Sequence, residues 1–349
     1  MTNFKVMSWN VENLFQPGDE VSEGKAMPAS LYTAKLEYLA KVVSEVSPDV
    51  LALQELGGDD NAVGRSLADL SERLGNDYPH TAISSYPDGR SIRVAFLSKL
   101  PLMAHRDIVN FAEGELSAVA SWASKPFVTR LGRGALLVQV EPASGIRIRL
   151  VTLHLKSKLI TYLPKDGKTR FSPSDENERA IGAGLALLRR TAEAAAVRIA
   201  LNDLMLADEG IHTVVLGDLN DVPKAATSQL LVGPEEKDVT SEDRGDATRL
   251  HNLMAALPGR GGMENDRWFL PEGERFTRIY QGQGELIDHI YVSKGLLGES
   301  AELKTDRWRL QEVRSLVGGI QGESVGNDVG ERVGKERPDH APIYASFEL

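Results

Sequence analysis

The 349-residue chain is 42% hydrophobic and has no cysteine, so it can bury a sizeable core but cannot use disulfides, a thiolate nucleophile or Cys-ligated zinc and iron–sulfur clusters. Any metal must therefore sit on oxygen or imidazole ligands. The formal net charge of -10 argues against coating nucleic acid by bulk attraction, yet permits a local grip on phosphate.

In chain order, residues 5–10 read as a first strand and residues 31–46 as a helix with Leu36, Leu39, Val42, Val43 and Val46 on one face. Pro48 and Asp49 end that helix, and VLALQE follows as a buried strand. A second amphipathic helix carries Val63, Leu67, Leu70 and Leu74. Strands are expected at 80–84, 92–97, 135–140 and 146–153, then a long polar loop at 159–173. Asp175 caps a helix running to about Ala207, with Glu178 completing a capping box. HTVVLGDLN is a strand with a polar tip, and RFTRIY, ELIDHIYVS and DHAPIYASFEL are further strands. The Gly-rich, charged stretch from Leu316 to Arg337 reads as a loop. Length alone would suggest two domains, but no repeat or linker divides the chain, so one layered α/β domain over residues 1–349 is the economical reading. The N-terminus lacks a basic segment followed by an apolar one, and no apolar run approaches the ~20 residues that span a bilayer. A cytoplasmic location, no membrane partner and a monomer are the default expectations.

Several strands end alike, with apolar residues leading straight into a carboxylate, amide or imidazole. Asn10 and Glu12 follow VMSW, Glu55 follows VLALQ, and His154 follows RLVTL. Asp218 and Asn220 follow VVLG, Asp288 and His289 follow ELI, and Asp339 and His340 precede APIYASF. Each alone is ordinary, because Asp and Asn are turn residues and strand ends are where turns occur. Six in one chain are harder to dismiss, since function gathers where a rigid scaffold ends. Clustered carboxylates and amides suit a hard cation such as Mg²⁺ or Mn²⁺. Histidines beside carboxylates do acid–base work or carry charge onto a phosphoryl oxygen. Lys156 and Lys158, alternating with Ser157, can present two cations on one side of an extended chain. These parts are what metal-assisted phosphoester hydrolysis requires.

Taken in order, MSWNVENLF, DVLALQEL, LHLKSK, VVLGDLND, LIDHIYVS and RPDHAPI resemble the motif series of the endonuclease/exonuclease/phosphatase superfamily, the DNase I-like metal-dependent phosphoesterases. The resemblance implies a four-layer α/β/β/α sandwich with the active site at one edge of two facing sheets. It implies Mg²⁺ (or Mn²⁺) ligands at Asn10 and Glu55, with Asp339 completing the surroundings. Glu12 falls near the metal, in an NVEN stretch that departs from the usual N-x-N or N-x-D. Asp218 is implied to orient or activate the attacking water, Asn220 to hold a phosphate oxygen, and Asp288 to orient His340 against the scissile phosphate. His154 is implied to protonate the leaving oxygen or stabilise the phosphorane. HLKSK itself resembles a bacterial subgroup that includes extracellular and biofilm nucleases.

Arg133, just before a strand, is a further candidate for phosphate. His289 should point away from Asp288 along a regular strand and be structural. Trp9 reads as core, Trp268 and Trp308 as loop residues able to stack on bases, and Arg170 and Arg179 as part of a mixed-charge surface. Glu55 and His340 are expected at the surface of the cleft.

The leading function is a metal-dependent nuclease cleaving DNA or RNA by in-line water attack, with Lys156, Lys158 and the 159–170 loop along the backbone. The alternative is a phosphatase of a small phosphorylated metabolite or lipid headgroup, since fold does not decide between them. The chain lacks a PAWCDR-like stretch, which disfavours inositol-polyphosphate 5-phosphatases. His154 and GELIDHI disfavour a dedicated AP endonuclease, and the N-terminus disfavours a secreted sphingomyelinase. A non-catalytic scaffold is disfavoured because every motif position is filled.

Overall fold

Strands buried on both faces carry near-continuous apolar runs, and the central strands of this chain are of that kind. The computed structural model describes residues 3–22, 24–111, 128–160, 162–165, 168–208, 210–233, 247–255, 275–280, 283–297, 309–316 and 336–348. In chain order the elements are β1 (Asn3–Leu14), the hairpin β2 (Glu20–Ser22) and β3 (Lys25–Ala26), α1 (Ala29–Val46), β4 (Val50–Gly57), α2 (Asp60–Arg73), β5 (His80–Ile83), β6 (Ile92–Ser98), β7 (Met103–Asn110), β8 (Arg130–Ala143) and β9 (Ile146–His154). A second run follows: the hairpin β10 (Tyr162–Lys165) and β11 (Lys168–Arg170), α3 (Glu176–Ala207), β12 (His212–Asp218), α4 (Ala226–Val232) and β13 (Leu250–Asn252). The last elements are the hairpin β14 (Arg278–Tyr280) and β15 (Gln283–Glu285), then β16 (Asp288–Ser293), β17 (Arg309–Ser315) and β18 (Ile343–Glu348).

Among the described residues the strands form two six-stranded sheets, ordered β17-β18-β1-β4-β6-β5 and β13-β16-β12-β9-β8-β7. Residue alternation then builds three apolar layers. Phe4, Val6, Val50 and Ala52 of the first sheet meet Leu136, Ile148, Leu150, Val214 and Leu216 of the second. The residues between them, Met7, Trp9, Leu51 and Leu53, turn outward onto Leu36, Leu39 and Val43 of α1 and onto α2. Val151, Leu153 and Val215 turn outward onto Ala194, Val197 and Leu201 of α3. The order is helix, sheet, sheet, helix, as expected from the motif series. Each fully buried Leu or Val contributes roughly 1.5–3 kcal/mol of transfer free energy, so the three layers together dominate stability.

Edge strands were the least visible in the sequence. β7 (MAHRDIVN) is mostly exposed and β17 (RLQEVRS) is interrupted by charge, as suits sheet margins that must not pair further. The 159–173 stretch contains the β10–β11 hairpin rather than loop alone. Asp175 caps α3 through its side chain, but Glu178 reaches back to the N–H of Ser174 and to Arg170 instead of closing a box on Asp175. Trp268, Trp308 and most of the 316–337 stretch lie outside the described residues.

One glycine fixes how closely β9 and β12 approach beneath the polar strand ends. Gly217 has φ +148, and a Cβ there would lie 2.0 Å from the carbonyl oxygen of Leu153. Gly217→Ala is expected to lower stability by about 3 kcal/mol through combined strain and overpacking. Urea unfolding checks this, and an unchanged midpoint would contradict it.

Candidate active site

Two parallel strand pairs bring the polar tips to one end of the sandwich. β1 runs parallel to β4 with Asn10 opposite Gln54, and β9 runs parallel to β12 with His154 opposite Asp218. β16 returns antiparallel, placing Asp288 opposite Asp218. His154, Asp218 and Asp288 thus form a row across the second sheet, faced by β1 from the first.

Asn10 bridges the two sheets. Its Nδ2 donates to Asp218 Oδ2 at 3.0 Å and to Glu55 Oε1 at 3.3 Å, while its Oδ1 accepts the N–H of Glu12 at 3.0 Å. The N–H of Asn13 donates to the other Glu55 oxygen at 3.1 Å. His154 Nε2 lies 3.2 Å from Asp218 Oδ2 and 3.9 Å from Glu55 Oε1. His340 Nδ1 lies 2.7 Å from Asp288 Oδ2, and its Nε2 lies 3.8 Å from Asp218 Oδ2 and 4.0 Å from Asp339 Oδ1. Glu12 accepts the N–H of Asp339 at 3.1 Å. Seven of the expected residues are therefore joined: Asn10, Glu55, His154, Asp218, Asp288, Asp339 and His340.

The backbone is bent to achieve this. Glu12, Asn13, Glu55 and Asn220 all have positive φ, between 48° and 67°. Such conformations cost non-glycine residues about 1–3 kcal/mol each and persist where surrounding structure enforces them. Here they turn the strand ends so that their side chains converge.

His340 was expected at the cleft surface, but it is only 4% exposed. Trp9, a core residue as expected, donates its indole N–H to the His340 carbonyl at 2.8 Å, and Asp288 holds the ring, so the residue is drawn under the surface. Glu55 remains partly exposed. Burial alone would depress the His340 pKa, yet Asp288, Asp218 and Asp339 together raise it to about 10, which keeps it an imidazolium. Burial pushes the Asp218 carboxyl up to about 7; Asp288 adds to the rise, while His340, the Asn10 amide and the Asn220 N–H oppose it. His154 is held well below its ordinary value by burial, with Arg133, His340 and Arg90 adding to the effect. It is therefore a neutral ring whose Nε2–H faces Asp218, and its Nδ1 is a buried acceptor with no hydrogen-bond partner among the described residues.

The donor chemistry fits a hard cation. Among the described residues, atoms of Asp218, Asp288 and His340 gather within 4.8 Å of one another. Within that group, His340 Nδ1 and Asp288 Oδ2 are already joined at 2.7 Å. Oxygen ligands are better supplied by Glu55, Asp339 and the Asn10 amide, because the two carboxylate side chains are 15% and 16% exposed and so reachable from solvent. Glu55 and Asp218 are drawn toward each other by the amide hydrogens of one asparagine.

A cleft of about 900 Å³ opens beside His154 and is lined by Arg133, Lys156 and Arg90, among others. Arg133 is paired to Asp88, with Nε and Nη2 each 3.0 Å from Oδ2. The two lysines do not share a side. Lys156 folds its ammonium onto the carbonyls of Ser157 at 3.0 Å and Leu159 at 2.8 Å, and burial lowers its pKa to about 8. Lys158 reaches away to Glu285 at 3.1 Å. Asn220 braces the two strand tips, giving its side-chain N–H to Leu155 O at 3.1 Å and its backbone N–H to Asp218 Oδ1 at 2.7 Å. Arg170 and Arg179 pair with Glu178 and Glu176 as ordinary surface charges.

Three supporting residues escaped the sequence reading. Asp221, inside the quoted VVLGDLND, binds Arg190 at 3.1 Å and Thr227 at 2.7 Å. Arg190 also donates to the Lys156 carbonyl at 3.1 Å. Glu193, 1% exposed, accepts the backbone N–H groups of Gly132 at 2.9 Å and Lys156 at 2.6 Å. The signal was there in part: Arg190 and Glu193 share helical spacing with Val197 and Leu201, so two charges fall on the buried stripe of α3.

The profile of the Endonuclease/Exonuclease/phosphatase family matches residues 7–306. Among solved structures, D. rerio TDP2 complexed with a single-strand DNA product is 15% identical with a TM-score of 0.53, the match covering 100% of both chains. The human Nocturnin catalytic domain with bound sulfate is 16% identical with a TM-score of 0.54, covering 99% of this chain and 94% of that one. An endonuclease/exonuclease/phosphatase family protein from Leptotrichia buccalis C-1013-b is 14% identical with a TM-score of 0.54, covering 99% of this chain and 100% of that one. No curated protein sequence matches the chain significantly.

His289 faces away from this constellation, as expected. Its Nε2 donates to Asp221 O at 2.8 Å and its Nδ1 accepts from Asn252 Nδ2 at 3.1 Å, so both nitrogens are satisfied in the neutral ring. Burial lowers its pKa from 6.5 to about 4. A depressed folded-state pKa means the unfolded chain binds the proton first, so this stability is full above pH 6.5 and is lost as pH falls toward 4. At one unit per 1.36 kcal/mol the loss is about 3 kcal/mol. His289→Gln should flatten urea stability against pH in that window, and an unaltered slope would exclude the linkage.

Proposed function

Because the chain belongs to the endonuclease/exonuclease/phosphatase family, whose chemistry is phosphoester hydrolysis, we propose that it is a Mg²⁺- or Mn²⁺-dependent nuclease cleaving phosphodiester bonds by in-line attack of water. The observation that carries this reading is the row of His154, Asp218 and Asp288 backed by His340, meeting at His154 a cleft that carries Arg90, Arg133 and Arg189.

Each group has a distinct task. Asp218, with its pKa raised toward neutrality, is matched to taking a proton from water near pH 7. His340, kept positive by Asp288, offers charge and an N–H to a phosphoryl oxygen whose charge grows in the transition state. His154, a neutral ring with its Nε2 3.2 Å from Asp218, is placed to stabilise the leaving oxygen by hydrogen bonding and not to protonate it. Asn220 keeps Asp218 oriented, and Arg133 at the cleft holds the non-reacting backbone. A divalent cation held by Glu55, Asp339 and Asn10 would supply Lewis acidity at the phosphate.

The size of the cleft supports a polynucleotide over a small phosphomonoester, and the likeness to a fold that holds single-strand DNA product supports it too. The deciding assay compares supercoiled plasmid, single-stranded DNA, RNA and a panel of phosphomonoesters in Mg²⁺, Mn²⁺ and EDTA. Strand cleavage that EDTA abolishes is expected; phosphate release with intact polynucleotide would give the protein to the small-substrate branch. Glu55→Gln should lower kcat by about 10²–10⁴-fold while leaving the thermal midpoint near wild type. Retained activity in that variant would remove Glu55 from the metal site. His340→Ala should also abolish turnover, but with a stability loss of about 3–5 kcal/mol because Asp288 is left buried and unpaired. Equilibrium unfolding separates the two effects.

A further inference from the structure

The cleft lined by His154 is also lined by an aromatic ring that is largely exposed. Phe171 lines the cleft and is 62% exposed, although the residues around it are firmly tied. Arg170 donates to Ser172 O at 3.3 Å and Ser174 Oγ at 2.9 Å, pairs with Glu178 on α3, and lies 5.9 Å from the Tyr162 ring centroid. Tyr162 is itself buried. The segment is therefore clamped to the start of α3 while the phenyl ring is exposed at the cleft wall.

Its surroundings are those of a nucleotide and not of a general apolar partner. Arg189 and Lys156 line the same cleft, beside the apolar Leu159. Arg189 is fixed through Nε to Glu193 at 3.3 Å, and Gly132 leaves room for it, since a Cβ there would lie 2.8 Å from Arg189 Nη2. A flat apolar ring in the same cleft as the Arg189 guanidinium offers a base its face and the backbone a counter-charge, and aromatic stacking of this kind tolerates any base.

We propose that Phe171 is the stacking platform for a nucleobase of the strand being cut, one nucleotide or more away from the scissile phosphate, with Arg189 holding the intervening backbone. This rests on the nuclease reading above and adds a subsite to it. The subsite ties the enzyme to single-stranded or locally opened substrate, because a paired and stacked base cannot offer its face to the ring.

The test uses the full chain and a set of single-stranded oligonucleotides, deoxyribo and ribo, in which one abasic position is moved along the strand. For wild type, one abasic position near the cut should raise KM about tenfold with kcat little changed. Phe171→Ala should raise KM by about the same factor on the intact strand. The abasic position should then cost the variant nothing further, and Phe171→Tyr should restore wild-type behaviour. Whichever backbone is turned over identifies the source of the base. A Phe171→Ala variant with unchanged KM, or two penalties that multiply, would overturn the platform while leaving the nuclease reading intact. A wild-type protein that cuts no oligonucleotide would overturn both.

Discussion

Asn10 and Asp218 belong to different sheets, 208 positions apart, and a single 3.0 Å hydrogen bond joins them. Facing sheets pack about 10 Å apart through apolar side chains and have no need of polar contacts between them. Here a second bridge, Gln54 to Thr152 at 3.0 Å with Ser8 beside it, repeats the crossing one step deeper. A short amide spans that gap only if the layer beneath has the right thickness. The apolar layer of Phe4, Ala52, Leu136 and Val214 therefore sets the geometry of the polar end. Packing fixes the sheets, the sheets fix Asn10 against Asp218, and Glu55 and His154 follow from that pair.

The polar end is costly for the fold. Asp218, Asp288, His154 and His340 are all under 5% exposed, and isolated buried charges are strongly disfavoured. Their arrangement limits the cost. One imidazolium sits among carboxylates, one carboxyl is easily protonated, and the second imidazole stays neutral. Positive φ at Glu12, Asn13, Glu55 and Asn220 adds backbone strain at the same end. Stability is thus concentrated in the three apolar layers, and the site draws on it.

Much of this was legible in the sequence because two independent signals coincide at each strand tip. Apolar runs such as VLALQ and VVLG mark buried strands, and the abrupt change to Glu55 or Asp218 marks where they leave the core. The motif order then supplied the sandwich. What stayed hidden depends on distances between strands far apart in the chain. Nothing local tells that Trp9 will pull the His340 carbonyl inward, that Lys158 will turn toward Glu285, or that Glu193 will bind the backbone beside Arg133. Edge strands such as β7 were missed for a different reason: solvent on one side removes the apolar pattern that reveals the others.

The bond from Trp9 to the carbonyl of His340 spans 331 positions, and β1 pairs with β18 along six residues. Asp339 and His340 lie just before β18, so their place at the polar end follows from the docking of that strand on β1. The first sheet and the polar end thus depend on one strand pairing, made between opposite ends of the described chain.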